Sequence, residues 1–234
     1  MSVVDIIIPV HNRAELTKQT INSLFENTDH KLFTLYVVDD VSDAETKKAL
    51  KSLQAIWRFK LFTNDENIGP AASRNEVCEY ITLRGKRSGL LYHSDNDVFF
   101  TDRWLPKLIT AFVPVGKEGV KLIGGGCHPY LQNNNIIKSV EWNVGIKDAV
   151  SGYSQLMTWE TWDKYGPFDE GQGGQEKKIM GSEDWAFCQR IIQDGFLVGS
   201  IEPEVVIATG KTNTYGDPAT GAETFKEFSG VKVL

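Results

Sequence analysis

The chain has 234 residues, 41% of them apolar and 24% charged, which is ordinary for one large globular domain with a sizeable core. A net charge of −6 and a pI near 5.3 leave no basic stripe for binding phosphate backbones, so nucleic acid is not an expected partner. Three dispersed cysteines, Cys78, Cys127 and Cys188, argue against a disulfide scaffold or a zinc site, and no apolar run reaches the roughly 18 residues of a membrane span.

Val3 to Pro9 reads as a short buried strand stopped by proline. A helix follows from Ala14 to Asn27, with Leu16, Thr20, Ile21, Leu24 and Phe25 on one face. Thr34 to Val38 is a second strand ending at Asp39-Asp40, after which Ser42 or Asp43 caps a helix to about Ala55. Arg58 to Phe62 gives a third strand, Pro70 to Tyr80 a helix with proline in its first turn, and Gly89 to Tyr92 a fourth strand. This alternation predicts an α/β fold, a mostly parallel central sheet flanked by helices.

The second half is less regular. A helix from Trp104 to Phe112 leads to a strand at Lys121 to Ile123 that ends in three glycines, and further strands fall near Ile136 to Val140 and Gln155 to Met157. Trp159 and Trp162 lie on a patterned helix and read as core residues. Asp169 to Gly181 is expected to be a loop, followed by a helix from Trp185 to Gln193 closed by Asp194-Gly195, then strands at Leu197 to Ile201 and Val205 to Ala208. Residues 209–234 read as a flexible tail or lid. No signal peptide precedes the first strand, and a reducing cytoplasm is the expected compartment.

Four acidic or polar clusters lie in one order along the chain: Asp39-Asp40, Asn67-Ile68-Gly69, Asp95-Asn96-Asp97 and Glu183-Asp184. The first and third follow strand-like runs, the place where open α/β sheets hold ligands. Asp39-Asp40 can cap backbone amides in a turn, or one carboxylate can accept a hydrogen bond from a nucleobase. Pro9-Val10-His11-Asn12-Arg13 is a common kind of loop, yet His11 offers a flat ring for a base and Arg13 a charge for a phosphate.

Asn67 to Asn75 is a turn plus a helix start; a helix N-terminus also suits anions, and Arg74 one turn in can reach a phosphate or ribose. Asn75 can instead bond a neighbouring loop. Asp95 and Asp97 are two apart, so in extended chain both carboxylates face the same way and can share a divalent ion; an acidic surface turn is the plainer alternative. Glu183 and Asp184 suit the first turn of a helix, and a carboxylate not needed as a cap can serve as a general base. His93 and His128 read as packing or loop histidines.

Taken together, from about Val3 to Gly199, these residues resemble the large family of inverting GT-A glycosyltransferases of the family 2 type. Ile6 to Arg13 looks like that family's opening strand and loop, Val37 to Asp43 its second strand end, Asn67 to Asn75 a segment beside the donor, and Ser94 to Val98 its Asp-X-Asp motif. Gly166 to Glu170 and Gly181 to Asp184 look like its acceptor-side pair.

The resemblance implies a single domain over 1–234, with residues 1–100 binding the nucleotide sugar and 101–208 holding the acceptor and the catalytic group. It implies Asp184 as catalytic base, with Glu183 orienting the substrates. Asp97 and Asp95 would hold Mn2+ or Mg2+, while Pro9, His11, Asn12, Arg13, Asp40, Asn67, Gly69, Arg74, Asp95 and Asn96 would surround the donor, a UDP-sugar. Trp185 and Asp169 would face a glycan or other hydroxyl acceptor. One departure stands out: no histidine follows His128 to complete the metal site, which leaves diphosphate oxygens, water or a carboxylate such as Asp217.

A nucleotide-sugar pyrophosphorylase or a dinucleotide-dependent oxidoreductase would want glycines directly after the first strand, and Val10 to Glu15 has none. A sugar- or nucleotide-binding scaffold without catalysis is the remaining alternative.

Overall fold

In the computed structural model, residues 3–126, 135–138, 142–170 and 183–209 are described. Strands β1 (Val4–Val10), β2 (Phe33–Asp39), β3 (Lys60–Thr63) and β4 (Leu90–Ser94) alternate with helices α1 (Ala14–Glu26), α2 (Ala44–Trp57) and α3 (Gly69–Leu83). After them come β5 (Val98–Phe100), α4 (Trp104–Gly116), β6 (Val120–Gly124), β7 (Ile136–Lys138), β8 (Asn143–Lys147) and β9 (Ser154–Thr158). The chain continues with α5 (Trp159–Tyr165), α6 (Glu183–Gln193), β10 (Leu197–Glu202) and β11 (Val206–Ala208). None of the described helices is long and apolar enough to cross a membrane.

The main sheet has the order β3-β2-β1-β4-β9-β6-β10-β8-β7, and β5 pairs with β11 beside it. β3, β2, β1 and β4 form the expected parallel block. Beyond β4, β9 runs antiparallel to both β4 and β6, and β10 is parallel to β6 but antiparallel to β8. β1 lies between β2 and β4, so the winding reverses there and the carboxyl ends of β1, β2 and β4 open into one crevice.

Strand alternation sorts the core into two layers. Val4, Ile6, Ile8 and Val10 of β1 face a cluster with Ile21 and Leu24 of α1, Leu50 of α2 and Trp104 and Leu108 of α4. Ile7 faces the opposite side, with Val77 and Cys78 of α3, Trp159 and Trp162 of α5, and Phe187 and Cys188 of α6. Trp159 and Trp162 are core residues, as their pattern suggests, and Cys78 and Cys188 are buried thiols outside any disulfide. Because both faces are covered, β1 is apolar at every position but Asp5. Asp5 accepts hydrogen bonds from Ser88 N at 2.7 Å and Trp159 Nε1 at 3.1 Å.

Several boundaries differ from the sequence reading for local reasons. β1 continues through Pro9 to Val10; its pairing with β4 ends at Ile7, so the proline falls where β2 is its only sheet neighbour. β3 begins at Lys60 because Arg58, at φ 56°, closes α2 in the left-handed region. α4 runs past Phe112 through Pro114, which sits in its last turn. β5, of three residues, is too short to be heard in a periodicity and is defined by pairing with β11, while β8 is defined by pairing with β10 and β7. Asp43 caps α2 by accepting from Thr46 N at 2.7 Å, and Gly195, at φ 82°, follows α6 as expected. Cys127, His128, Asp217 and most of the proposed loop and tail fall outside the described residues.

Candidate functional site

The loops at the carboxyl ends of β1, β2 and β4 are tied to one another. Asp40 N donates to Val10 O at 2.8 Å, Asn12 N to Ser42 Oγ at 3.0 Å, and Asp43 N to Asn12 Oδ1 at 2.7 Å. Asn12 and Arg13 both adopt left-handed backbone, φ 61° and 63°, and so does Val41 at φ 57°. Three such residues side by side are costly without glycine, and the cross-links between the loops hold them. His11 is exposed at this mouth, and its Nδ1 donates to Asp40 O at 2.7 Å. A carbonyl can only accept, so Nε2 is the acceptor face, 3.1 Å from Asn12 Nδ2. Asn67 is exposed beside the same ring. Pro9, by contrast, is buried within β1.

Asp40 takes the plainer of its two expected duties. Its carboxylate accepts from Asn64 Nδ2 at 2.9 Å, Ile68 N at 3.0 Å and Gly69 N at 2.8 Å, and so caps the unpaired amides at the start of α3. Gly69 is required here: at φ 86° its backbone turns both amides onto the aspartate. Asn75, one turn on, holds Phe168 by both amide atoms at 3.0 Å, the loop contact expected of it.

Arg74, expected to reach a phosphate or ribose, instead points inward and is 1% exposed. Its guanidinium bonds the Asp95 carboxylate, Ser94 O and Gly152 O, and lies over the Phe168 ring. Burial makes this placement hold, because three acceptors compensate a charge that has lost water. Gly152 in turn donates its N–H to Asp184 Oδ2 at 2.8 Å, while Trp185 N donates to Oδ1 at 2.7 Å. One guanidinium and the two backbone groups of one residue, Gly152, thus join Asp95 just after β4 to Asp184 in the first turn of α6. Trp185 is 45% exposed at the same edge. Asp169 is tied to α6: Arg190 holds it at 3.0 Å while clamping Tyr165 O and Pro167 O.

Asn96 is buried, donating to Thr17 Oγ1 at 2.8 Å and Asn12 O at 3.2 Å, which pins the Asp95–Asp97 turn to the loop before α1. Asp97 pairs with Arg13, and its backbone carbonyl accepts from Thr209 N and Oγ1 at 2.8 and 2.9 Å. Burial raises the Asp97 pKa to about 6, the charge of Asp95 adds to this, and Arg13 opposes it. Asp184 also rises to about 6, chiefly through burial and the neighbouring Glu183, with a smaller push from Asp95.

The largely buried Asp97 carboxylate, two residues from Asp95, fits a cation, and hard oxygen donors fit Mn2+ or Mg2+. Among the described residues no third histidine, cysteine or acid gathers with them. Two hollows of about 290 Å3 lie elsewhere, one lined by Phe25 and Trp57, the other by Phe112 and Val113, and neither touches these acids.

Gly152 and the residues around it were not foreseen. Tyr153 O accepts from Ser94 Oγ at 2.9 Å, and Ser154 Oγ meets Tyr92 Oη at 2.7 Å. Gly125 N donates to Ser154 Oγ at 2.8 Å, and a Cβ on Gly125 would come within 2.6 Å of Val206 Cγ2. The three-glycine run was the available signal: it lets β9 and β11 converge behind the Asp-X-Asp turn.

The fold is an α/β domain whose Asp95–Asp97 turn follows β4 beside the sheet's winding reversal. Residues 5–167 match the glycosyl transferase family 2 profile, and the chain belongs to that family. It is similar to an uncharacterized glycosyltransferase of Rickettsia bellii (strain RML369-C), 36% identical over 102 residues that make up 43% of this chain and 14% of that protein. The mannosyltransferase PcManGT from Pyrobaculum calidifontis, solved with GDP-Man and Mn2+, superposes with a TM-score of 0.66 at 15% identity over 91% of this chain and 58% of its own. GalNAc-T7, solved with UDP, GalNAc and Mn2+, gives 0.65 at 18% over 86% and 42%. These structural likenesses establish the GT-A glycosyltransferase fold, and the chain spans well under two thirds of each relative's length.

Proposed function

We propose that this domain transfers a sugar from a nucleoside diphosphate, a UDP-sugar, to an acceptor hydroxyl with inversion at the anomeric carbon. The observation that carries the reading is the path Asp95–Arg74–Gly152–Asp184, which fixes a diphosphate-side acid and a candidate base across one crevice. Asp97 with Asp95 would hold Mn2+ or Mg2+, which supplies positive charge against the departing diphosphate. Relatives solved with GDP-Man or UDP and with Mn2+ support a donor of this class.

Asp184 takes the acceptor's proton as the hydroxyl attacks. With a pKa of about 6 it is ionised at neutral pH yet more basic than an ordinary carboxylate. Glu183 orients the acceptor or the donor sugar, and Trp185 offers a flat face to an acceptor ring, with Asp169 at the acceptor side. On the donor side, His11 lies against the base, Arg13 serves the phosphates, and Pro9, Asn12, Asn67, Gly69 and Asn96 shape the walls. Asp40 acts by bracing α3 with its buried carboxylate, and Arg74 by holding Asp95. Buried Cys78 and Cys188, neither in a disulfide, accord with a reducing cytoplasm.

A donor screen with Mn2+ tests the reading. Asp184→Asn is expected to abolish transfer while calorimetry still records Mn2+-dependent UDP binding, and Asp97→Ala to lose most of that binding. Near-normal turnover by Asp184→Asn would remove the proposed base. A scaffold that binds nucleotide sugar without catalysis is favoured by one observation, the absence of a third acid or histidine beside Asp95 and Asp97 among the described residues. Wild-type protein that binds UDP and Mn2+ yet neither transfers nor hydrolyses any donor would select it.

A further inference from the structure

Two arginine–aspartate pairs flank the Asp95-Asn96-Asp97 turn, and they are built in opposite ways. In the first the arginine is hidden: the Arg74 side chain is 2% exposed and that of Asp95 41%. Arg74 also holds two carbonyls, so leaving Asp95 would strand a buried charge. The second reverses this. The Arg13 side chain is 44% exposed, that of Asp97 only 17%. Asp97 is the acceptor the Arg13 guanidinium meets among the described residues.

The backbones on both sides of the second pair are fixed. Asn96 ties the turn to Asn12 O and Thr17, and Thr209 holds Asp97 O. Arg13 stands at the N-cap of α1 without contributing a side-chain cap, so the helix does not need its guanidinium. What remains free to exchange is one long, solvated side chain against a carboxylate that always needs a cation nearby.

We propose that Arg13 is an exchangeable counter-ion: it neutralises Asp97 in the free protein, yields that carboxylate to a divalent cation, and turns its guanidinium to the diphosphate of the incoming donor. This rests on the metal role given to Asp97 above. The exchange keeps Asp97 compensated throughout and frees a bidentate phosphate ligand only after the cation has entered. Cation and nucleotide therefore strengthen each other's binding, by the same factor in both directions.

Calorimetry with MnCl2 alone, and then with UDP at saturating Mn2+, tests this on wild type, Arg13→Gln and Asp97→Asn. Arg13→Gln is expected to bind Mn2+ alone about two- to fivefold more tightly, the scale of releasing an exposed ion pair. It is expected to bind UDP more weakly in the presence of Mn2+, so that the mutual strengthening shrinks. A residue that merely shaped the loop would weaken both. In a crystal grown with Mn2+ and UDP, the Arg13 guanidinium should lie on a phosphate oxygen and off Asp97. Arg13→Gln with unchanged or weaker Mn2+ binding, while Asp97→Asn has lost it, overturns the exchange and leaves the metal role standing. Mn2+ binding that Asp97→Asn does not alter removes the metal role, and the exchange falls with it.

Discussion

The two halves of the crevice are built to different standards. In the half proposed to hold the donor, the loops after β1, β2 and β4 and the start of α3 are bonded to each other, with Asp40 alone accepting three hydrogen bonds. In the half proposed to hold the acceptor, Asp184 is held by two backbone amides, those of Gly152 and Trp185. A donor pocket has to present many groups to a large polar ligand, and cross-linked loops preorganise it. A proton acceptor has another need: a site dry enough to raise its basicity, which a denser set of hydrogen bonds would undo.

That contrast breaks most visibly in the pH dependence of transfer. Burial and the charge of Glu183 put Asp184 at about 6, so kcat/KM should fall tenfold per unit below that value. The folded state then holds this proton more tightly than the unfolded chain, whose aspartate titrates near 3.8. Stability from this group is present below about 4 and is lost as pH rises through about 6. Asp184→Asn should thus raise the melting temperature at pH 8 and leave it nearly unchanged at pH 4. A rate profile flat from pH 7 to 5 would remove Asp184 from the proton transfer.

Arg74→Met removes the guanidinium that spans the two halves. Asp95 is partly exposed and can recover water, so we expect a loss of about 2–3 kcal/mol in urea unfolding, below the full cost of halving a buried pair. Arg74→Lys should recover part of the loss, since all three acceptors are met by one terminal nitrogen, Nη2, and an ammonium also carries three donors. Asp40→Ala tests the donor side alone. It uncaps α3 and should cost about 1–2 kcal/mol, with hydrogen exchange fastest at Ile68 and Gly69. Equal exchange throughout α3 would show that the cap is not local.

The donor half was largely legible because its signals are local. A strand, a turn and a capped helix each declare themselves within a dozen residues, and Asp43 and Gly69 act where the pattern placed them. Arg74 stands out in the sequence, but the direction of its side chain does not. Nothing in its neighbourhood tells that the carbonyls of Ser94, at the end of β4, and Gly152, in the turn before β9, await it. Gly152 was silent for the same reason. Its importance comes from a register, β4 against β9 with Ser94 opposite Ser154, that only the assembled sheet defines. The three glycines at 124–126 hinted at a crowded junction without naming its occupants.

The subtlest test places a methyl group where the two halves meet. A Cβ on Gly152 would stand 3.5 Å from Asp184 Oδ2 and 3.6 Å from its Cβ, ordinary contact distances that need no rearrangement. Gly152→Ala should therefore keep both amide bonds and change stability by less than about 1 kcal/mol. The methyl does displace water from the carboxylate, and burial is already the main force raising its pKa. The inflection in kcat/KM should move upward by a few tenths of a pH unit, with UDP binding unchanged. A downward shift would mean that hydrogen bonds, rather than exclusion of water, set the basicity of Asp184.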